Sequence, residues 1–263
     1  DGGAREINLL GQNVNAYHGA LPGGGECRLA GLIEELAAIP GLDRIRYTTS
    51  HPRDMTPDLI AVHGAVDKLM PYLHLPVQSG ADPVLAAMNR QHVAADYLRI
   101  IDELRAARPD IAMSSDFIVG HPGERDEDFE ATLDLVRAVG YAQAYSFKYS
   151  ARPGTPAAAM EDTIDEAVKS ERLARLQALL NEQQIAFNQS FVGRTVPVLL
   201  DRRGRGDAQL AGRSPWMQAV HVDFADADLA DGAFGSIVDV EIRSAHPNSL
   251  AAVPAGKREV AAV

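Results

Sequence analysis

Five short segments of this chain combine polar side chains with glycine. They are Gly11-Gln12-Asn13, Ser50-His51-Pro52, Gln78-Ser79-Gly80, Gly120-His121-Pro122-Gly123-Glu124 and Tyr149-Ser150-Ala151-Arg152-Pro153-Gly154-Thr155. Amides, hydroxyls and an imidazole give hydrogen bonds to a polar ligand, and glycine lets backbone come close to it. Singly, each segment reads as a turn, because Asn, Ser, Gly and Pro are turn formers. Hydrolytic chemistry is not indicated. The chain has no Gly-x-Ser-x-Gly elbow and no His-Glu-x-x-His pair, and Gly120-x-x-Gly123 alone is too weak to mark a phosphate loop. Cys27 is the single cysteine, which leaves no internal disulfide and no multi-cysteine metal site. It reads as a loop thiol beside Gly23-Gly24-Gly25, and no residue is assigned to a metal.

The elements around these segments alternate. Ile7–Leu10 predicts a buried strand, and Leu29, Leu32, Ile33 and Leu36 share one face of a helix over 28–39 that Pro40-Gly41 stops. Strands follow at 45–50, 72–77, 111–119 and 143–149. Helices start at Thr56-Pro57-Asp58 and Asp82-Pro83, with further helices over 93–107 and 127–139, the last ended by Gly140. Repeated βα units predict a parallel sheet with right-handed crossovers, whose ligands sit at the carboxyl ends of the strands. Each of the five polar segments follows a predicted strand, so together they mark one rim and one shared pocket. Thr163-Ile164-Asp165-Glu166 has the spacing of a capping box and opens a long helix that Gly193 ends. Beyond it, 195–200, 219–224 and 236–242 read as short strands of a small all-β module, a five-stranded barrel of OB-like size. The expected domains are 1–191, 192–256 and a tail at 257–263. The start reads as cut: Asp1-Gly2-Gly3 looks like the end of a helix, no Met initiates the chain, and at least one βα unit is expected before it.

The wording of these segments resembles the MiaB-type tRNA methylthiotransferases, a radical S-adenosylmethionine family. The matching stretches are 9–17 (LLGQNVNAY), 47–52 (YTTSHP), 74–80 (HLPVQSG), 116–120 with 122–124, and 147–157 (FKYSARPGTPA). The β module resembles a TRAM domain at Gly212-Arg213-Ser214 and Pro247-Asn248-Ser249-Leu250. The resemblance spans residues 1 to 254. It implies an α/β fold: a partial parallel (βα) radical-SAM barrel lacking its first unit, a long bridging helix and a small all-β TRAM barrel. It further implies S-adenosylmethionine and two [4Fe-4S] clusters in the full-length enzyme, with no ligands for the clusters in this chain. The implied reaction is methylthiolation of carbon 2 of N6-isopentenyladenosine beside the anticodon of tRNA, and the isolated chain is expected to be inactive. By resemblance Gln12 and Asn13 face the methionine end of the cofactor, Gln78 and Ser79 its ribose side, and Gly120, Gly123 and Glu124 its adenosine. Ser50 and His51 face the same mouth, and a buried structural role fits His51 equally. Lys148 and Arg152 would meet RNA phosphate or the methionine carboxylate. His121 stands where the family usually has Phe, Arg125 where it has Thr, and Trp216-Met217-Gln218 where it has a more polar, Asn-containing stretch.

Charge limits the RNA contact. The 263 residues carry a formal charge of −11, 46% hydrophobic and 23% charged residues, an ordinary globular composition. A uniformly basic surface is excluded, so RNA would be held by a local patch: Arg202, Arg203, Arg205 and Arg213 are the candidates in the module. No apolar run reaches the roughly 18 residues of a membrane span, and the first residues are too polar for a signal peptide. The chain is expected to be cytoplasmic and monomeric. Two rival readings stand beside this one. A sister family methylthiolates an aspartate of a ribosomal protein, but tends to carry an acidic residue at the position of Arg152. Alternatively the chain is a non-catalytic RNA-binding fragment.

Overall fold

The computed structural model describes residues 3–20, 24–151, 160 and 164–256. Its first part follows the alternation of the sequence: β1 (Glu6–Leu9), a hairpin of β2 (His18–Ala20) and β3 (Glu26–Arg28), α1 (Leu29–Ala37), β4 (Arg44–Tyr47) and α2 (Pro57–Ala65). It continues with β5 (Tyr72–His74), α3 (Asp82–Ala87), α4 (Ala94–Ala107), β6 (Ala112–Val119), α5 (Asp126–Val139), β7 (Gln143–Lys148) and α6 (Glu166–Gln189). β1 and β4 form one parallel pair, and β5, β6 and β7 a parallel sheet of three. A parallel bridge between Ile45 and Leu69 links the two sheets. It is closed by Ile45 N–H to Lys68 O (2.7 Å) and Met70 N–H to Ile45 O (3.0 Å). Five parallel strands thus run in chain order with their carboxyl ends on one side.

Alternation along each strand decides the two faces. Ile45, Leu73, Met113, Phe117 and Val119 are buried in one core with Ile33, Leu59, Tyr97, Leu104, Phe129 and Val136 of the helices. Residues of the opposite phase are polar or open: Arg44, Arg46, His74, Ser114, Asp116 and Tyr145. The buried hydroxyls inside the apolar layer are satisfied, since Tyr97 donates to Leu75 O (3.0 Å) and Tyr141 to Tyr97 (3.1 Å). Local signals fix the helix ends. α5 begins with Asp126, Glu127 and Asp128, and the Arg125 N–H donates to Asp128 (2.9 Å); Gly140 closes it at φ 63°.

The chain divides inside α6, between Leu180 and Asn181, into two compact units. In the second unit β8 (Thr195–Arg203), β9 (Gln209–Arg213), β10 (Ala219–Asp223), a short α7 (Ala227–Ala233), β11 (Ile237–His246) and β12 (Ser249–Pro254) follow one another. The strands close a barrel in the order β10-β12-β11-β8-β9. Val196, Val198, Leu210, Val220, Val240 and Leu250 fill it. The last turns of α6 belong here for a visible reason. Asn188 donates to the carbonyls of His246 and Pro247 (3.0 Å each) and accepts from Gln218 Nε2 (3.0 Å), while Phe187 and Phe191 pack on the barrel core.

Four features depart from the sequence reading, the first being that the strand expected over 45–50 ends at Tyr47. The strand expected over 72–77 ends at His74, because Pro76 has no N–H to donate and Gln78 turns the chain at φ 76°. The β2–β3 hairpin was not anticipated. Nor was α7, whose N-cap Asp226 accepts from the Leu229 N–H (2.8 Å). Among the described residues, no helix is long and apolar enough to cross a membrane.

Candidate functional site

The carboxyl ends of β1, β4, β5 and β6 bring most of the expected rim residues together. Asn15, just after β1, clamps the segment after β4: its amide donates to His51 O (2.8 Å) and its oxygen accepts the His51 N–H (2.9 Å). Asn13 donates to Asp54 Oδ2 (2.7 Å) and Arg53 donates to Gln91 Oε1 (2.5 Å). Burial would raise the Asp54 carboxyl, but the Asn13 and Arg53 hydrogen bonds outweigh it and hold the group below its ordinary value. Gln12 is exposed beside them. A cleft of about 340 Å³ opens next to this cluster, lined by Asn15, Tyr17, Arg28, Arg53 and Asp54 among others.

Several polar atoms at the mouth are buried without a partner. They are Asn13 Oδ1, Ser50 Oγ and both ring nitrogens of His92. Each such atom costs about 1–3 kcal/mol unless a ligand or water completes it, which makes this rim a candidate binding site. Backbone strain is concentrated at the same place. Thr49 (φ 64°) and Gln78 (φ 76°) both take the left-handed conformation, which costs a non-glycine residue about 1–3 kcal/mol. Gln78 is held there by its N–H to Asp116 O (3.0 Å) and its carbonyl to Ile118 N–H (2.9 Å).

His51 and His92 meet edge to face, ring centroids 5.6 Å apart. His51 Nδ1 accepts the Arg53 N–H (3.1 Å), which fixes the neutral ring as its Nε2–H tautomer. Burial, then the charges of Arg90 and Arg53, lower its pKa; burial, then His51 and Arg90, lower that of His92.

Ser79, Glu124, Lys148, Arg203 and Arg213 have polar atoms committed within the protein. Ser79 is 1% exposed, and its hydroxyl lies 3.2 Å from that of Thr132 on α5. Glu124 accepts the Gly120 N–H (3.0 Å) and pairs with Arg172 of α6 (2.8 Å), so it shapes the Gly120–Gly123 turn from behind. Gly120 (φ 74°) also lies under Lys169, whose Cγ would be 2.5 Å from a Cβ at that position. Gly123 (φ 84°) has open space instead. Lys148 pairs with Glu166 (2.9 Å). Arg152 lies outside the described residues. In the barrel unit Arg202 is 3.6 Å from Asp201, Arg203 pairs with Asp231 and lies over the Phe234 ring, and Arg205 makes no ion pair among the described residues. Arg213 donates to Met217 O (3.2 Å), holding the turn whose Met217 has φ 68°.

The model of the Radical SAM superfamily matches residues 1–136, more than half of the chain. The chain belongs to the Radical SAM superfamily. A TRAM domain model matches residues 189–254, the stretch that contains the closed barrel. This radical SAM chain is 63% identical over 254 residues to a tRNA-2-methylthio-N(6)-dimethylallyladenosine synthase of Sphingopyxis alaskensis, covering 96% of this chain and 56% of that protein. A protein of the same name from Jannaschia is 60% identical over 250 residues, covering 95% and 53%. The chain therefore spans about half the length of the curated relatives it matches. The solved structure of coproporphyrinogen III oxidase from Escherichia coli is a looser likeness, 20% identical, covering 58% of this chain and 36% of that one, with a TM-score of 0.47.

Sequence reading had missed Asn15, Thr49, Arg90 and His92 as parts of this rim. The one available signal was Arg90-Gln91-His92, a polar run directly before a helix start. Thr49 offered none, since threonine is among the residues least suited to positive φ.

Proposed function

We propose that this chain is the cofactor-binding and RNA-binding portion of a tRNA methylthiotransferase. The whole enzyme would place a methylthio group on carbon 2 of N6-isopentenyladenosine beside the anticodon. The observation that carries the reading is the 63% identity, over 254 residues, to a protein named as the synthase of that nucleoside. S-adenosylmethionine supplies both the radical and the methyl group in such chemistry. The buried, unpartnered Asn13 Oδ1 and Ser50 Oγ suit a polar ligand of that kind. Gln12, Asn13, Ser50 and His51 would hold its polar end. Gln78 and the Gly120–Gly123 turn would approach it through backbone, with Ser79 anchored on Thr132 and Glu124 on Arg172 behind them. Clusters are a different matter. A [4Fe-4S] cluster takes several thiolates, and Cys27 is the single cysteine, so the residues of this chain do not fit one. RNA would be met by the barrel arginines, with Lys148 and Arg152 nearer the rim in sequence; the protein is read as a cytoplasmic monomer.

A graft tests the proposal. Residues 3–256 replace the corresponding stretch of the Sphingopyxis alaskensis relative, and the hybrid is expressed in a strain that lacks the methylthio mark. Mass spectrometry of tRNA nucleosides should then show 2-methylthio-N6-isopentenyladenosine. A mark on a ribosomal-protein aspartate, with tRNA unchanged, would overturn the substrate.

A further inference from the structure

The segment between α3 and α4 reaches across to the ends of β4 and β5. Asn89 takes φ 55° and reverses the chain, Gln91 is hydrogen-bonded by Arg53, and the His92 ring meets His51 edge-on. Arg90 lies between Gln91 and this turn, half-buried. We propose that Arg90, His51 and His92 form a basic cradle at the mouth of the strands that takes an oxyanion, a carboxylate or a phosphodiester. The cradle rests on the proposed function only for the identity of that anion.

Three observations support it. His92 is 7% exposed, and beyond a weak hydrogen bond to the Val77 backbone its ring nitrogens have no protein partner. His51 spends Nδ1 on the Arg53 N–H and keeps Nε2–H for another partner. Arg90 makes no ion pair among the described residues. The acidic groups around the cluster are each engaged or at a distance. Asp116, the carboxylate that acts on Arg90, is 3.6 Å from His74 Nε2; Asp54 is bonded to Asn13 and Arg53; Asp82 accepts the Ala94 N–H (2.8 Å) at the start of α4; Asp96 acts on His92 only weakly. Donors converge here without a matching acceptor, and an oxyanion supplies one.

The cluster also predicts how the anion binds. In the free chain burial and the Arg90 charge hold both imidazoles below their ordinary value. An anion between them favours the charged ring, so binding draws in a proton and tightens as pH falls. The test is imidazole titration by NMR on the whole chain between about pH 4.5 and 8. It is run alone and with inorganic pyrophosphate, S-adenosylmethionine or a short single-stranded RNA. Alone, both rings should titrate below the usual histidine value. A bound anion should raise at least one by about a unit, which corresponds to up to about tenfold tighter binding on the acid side. Movement with S-adenosylmethionine but not RNA assigns a carboxylate, and the reverse assigns a phosphodiester. Arg90→Gln should weaken binding and raise both rings in the free chain, while His92→Phe should flatten the pH dependence. Imidazoles unmoved by all three probes would overturn the cradle. A pyrophosphate response in a chain whose graft fails to modify tRNA would keep the cradle and reject only the proposed function.

Discussion

His63 shows how much one buried side chain can decide. It is 1% exposed, its Nε2 is 2.7 Å from the Tyr47 hydroxyl, and its Nδ1 has no partner. Burial, helped by the Arg108 charge, brings its pKa down to about 3 from an ordinary value near 6.5. The unfolded chain therefore binds a proton between those values while the folded chain does not. The stabilising contribution of the neutral ring is complete above about pH 6.5 and is lost as pH falls toward about 3, at up to about 1.4 kcal/mol per unit. Glu124 has the opposite slope. Burial outweighs Arg172 and the Gly120 N–H and raises its pKa, so its ionisation costs stability as pH rises just above the usual carboxylate value. We expect His63→Leu to be less stable at pH 7 by about 1–3 kcal/mol, because the Tyr47 hydroxyl is stranded. It should then lose less than wild type between pH 7 and 4.5. Urea unfolding followed by far-ultraviolet circular dichroism at the two pH values measures this. Equal losses in both proteins would assign the acid sensitivity to carboxylates.

At the scale of elements, glycine separates what the sequence reveals from what it hides. Gly140 and Gly193 are legible as helix stops because the requirement is local, and both take positive φ (63° and 81°). Gly80 and Gly212 are needed by distant segments, and no neighbouring residue announces it. A Cβ on Gly80 would meet Ala131 O of α5 at 2.5 Å, and one on Gly212 would meet Leu199 O of β8 at 1.9 Å. The same distinction covers the strands. β6, which ends in the β-rich run Phe117-Ile118-Val119, was readable, whereas β9 and β12 were not delimited singly, since their Gly, Ala and Ser content resembles the turns beside them. Gly212→Ala should cost the barrel about 3 kcal/mol through overpacking against backbone. Gly123→Ala, in open space but at φ 84°, should cost about 1 kcal/mol of strain in the first unit. Trp216 is the single tryptophan and packs on Phe191 at 4.8 Å, so its fluorescence reports the barrel. Thermal unfolding should show its midpoint lowered by Gly212→Ala and unchanged by Gly123→Ala. A shift of similar size in both would show that the close approach of β8 and β9 is not what fixes Gly212.

At the scale of the whole molecule, the proposed function requires a chain of net charge −11 to hold RNA through local contacts. The order of the parallel strands was legible from the alternation of elements, although β4 and β5 each end three residues earlier than the sequence suggested. Sequence could not show that the loop after α3 joins their rim, nor which cations the fold uses up. Lys148 is spent on Glu166, Arg203 on Asp231 and the Phe234 ring, and Arg213 on the Met217 carbonyl. Across 192–256 six arginines face eight acidic residues, so the barrel as a whole does not attract RNA. Contacts must act within the Debye length of about 8 Å at physiological salt. Among the described residues of the barrel unit, Arg205, without an ion pair, Arg202, 3.6 Å from its neighbour Asp201, and Arg194, which lies over the Phe191 ring without an ion pair, are exposed cations available to phosphate. Each phosphate contact releases counterions and steepens the salt dependence of affinity by about 0.7–0.9 in logarithmic slope. Changing Arg202, Arg203 and Arg205 together to Gln should weaken tRNA binding and reduce that slope by about two contacts rather than three. Arg205→Gln alone should account for about one, and Arg203→Gln should alter the slope little because its charge is already paired. Affinity across a salt series for wild type and these variants is the measurement. Unchanged affinity and slope in the triple variant would assign the arginines to solubility and leave the RNA surface to the strand ends of the first unit.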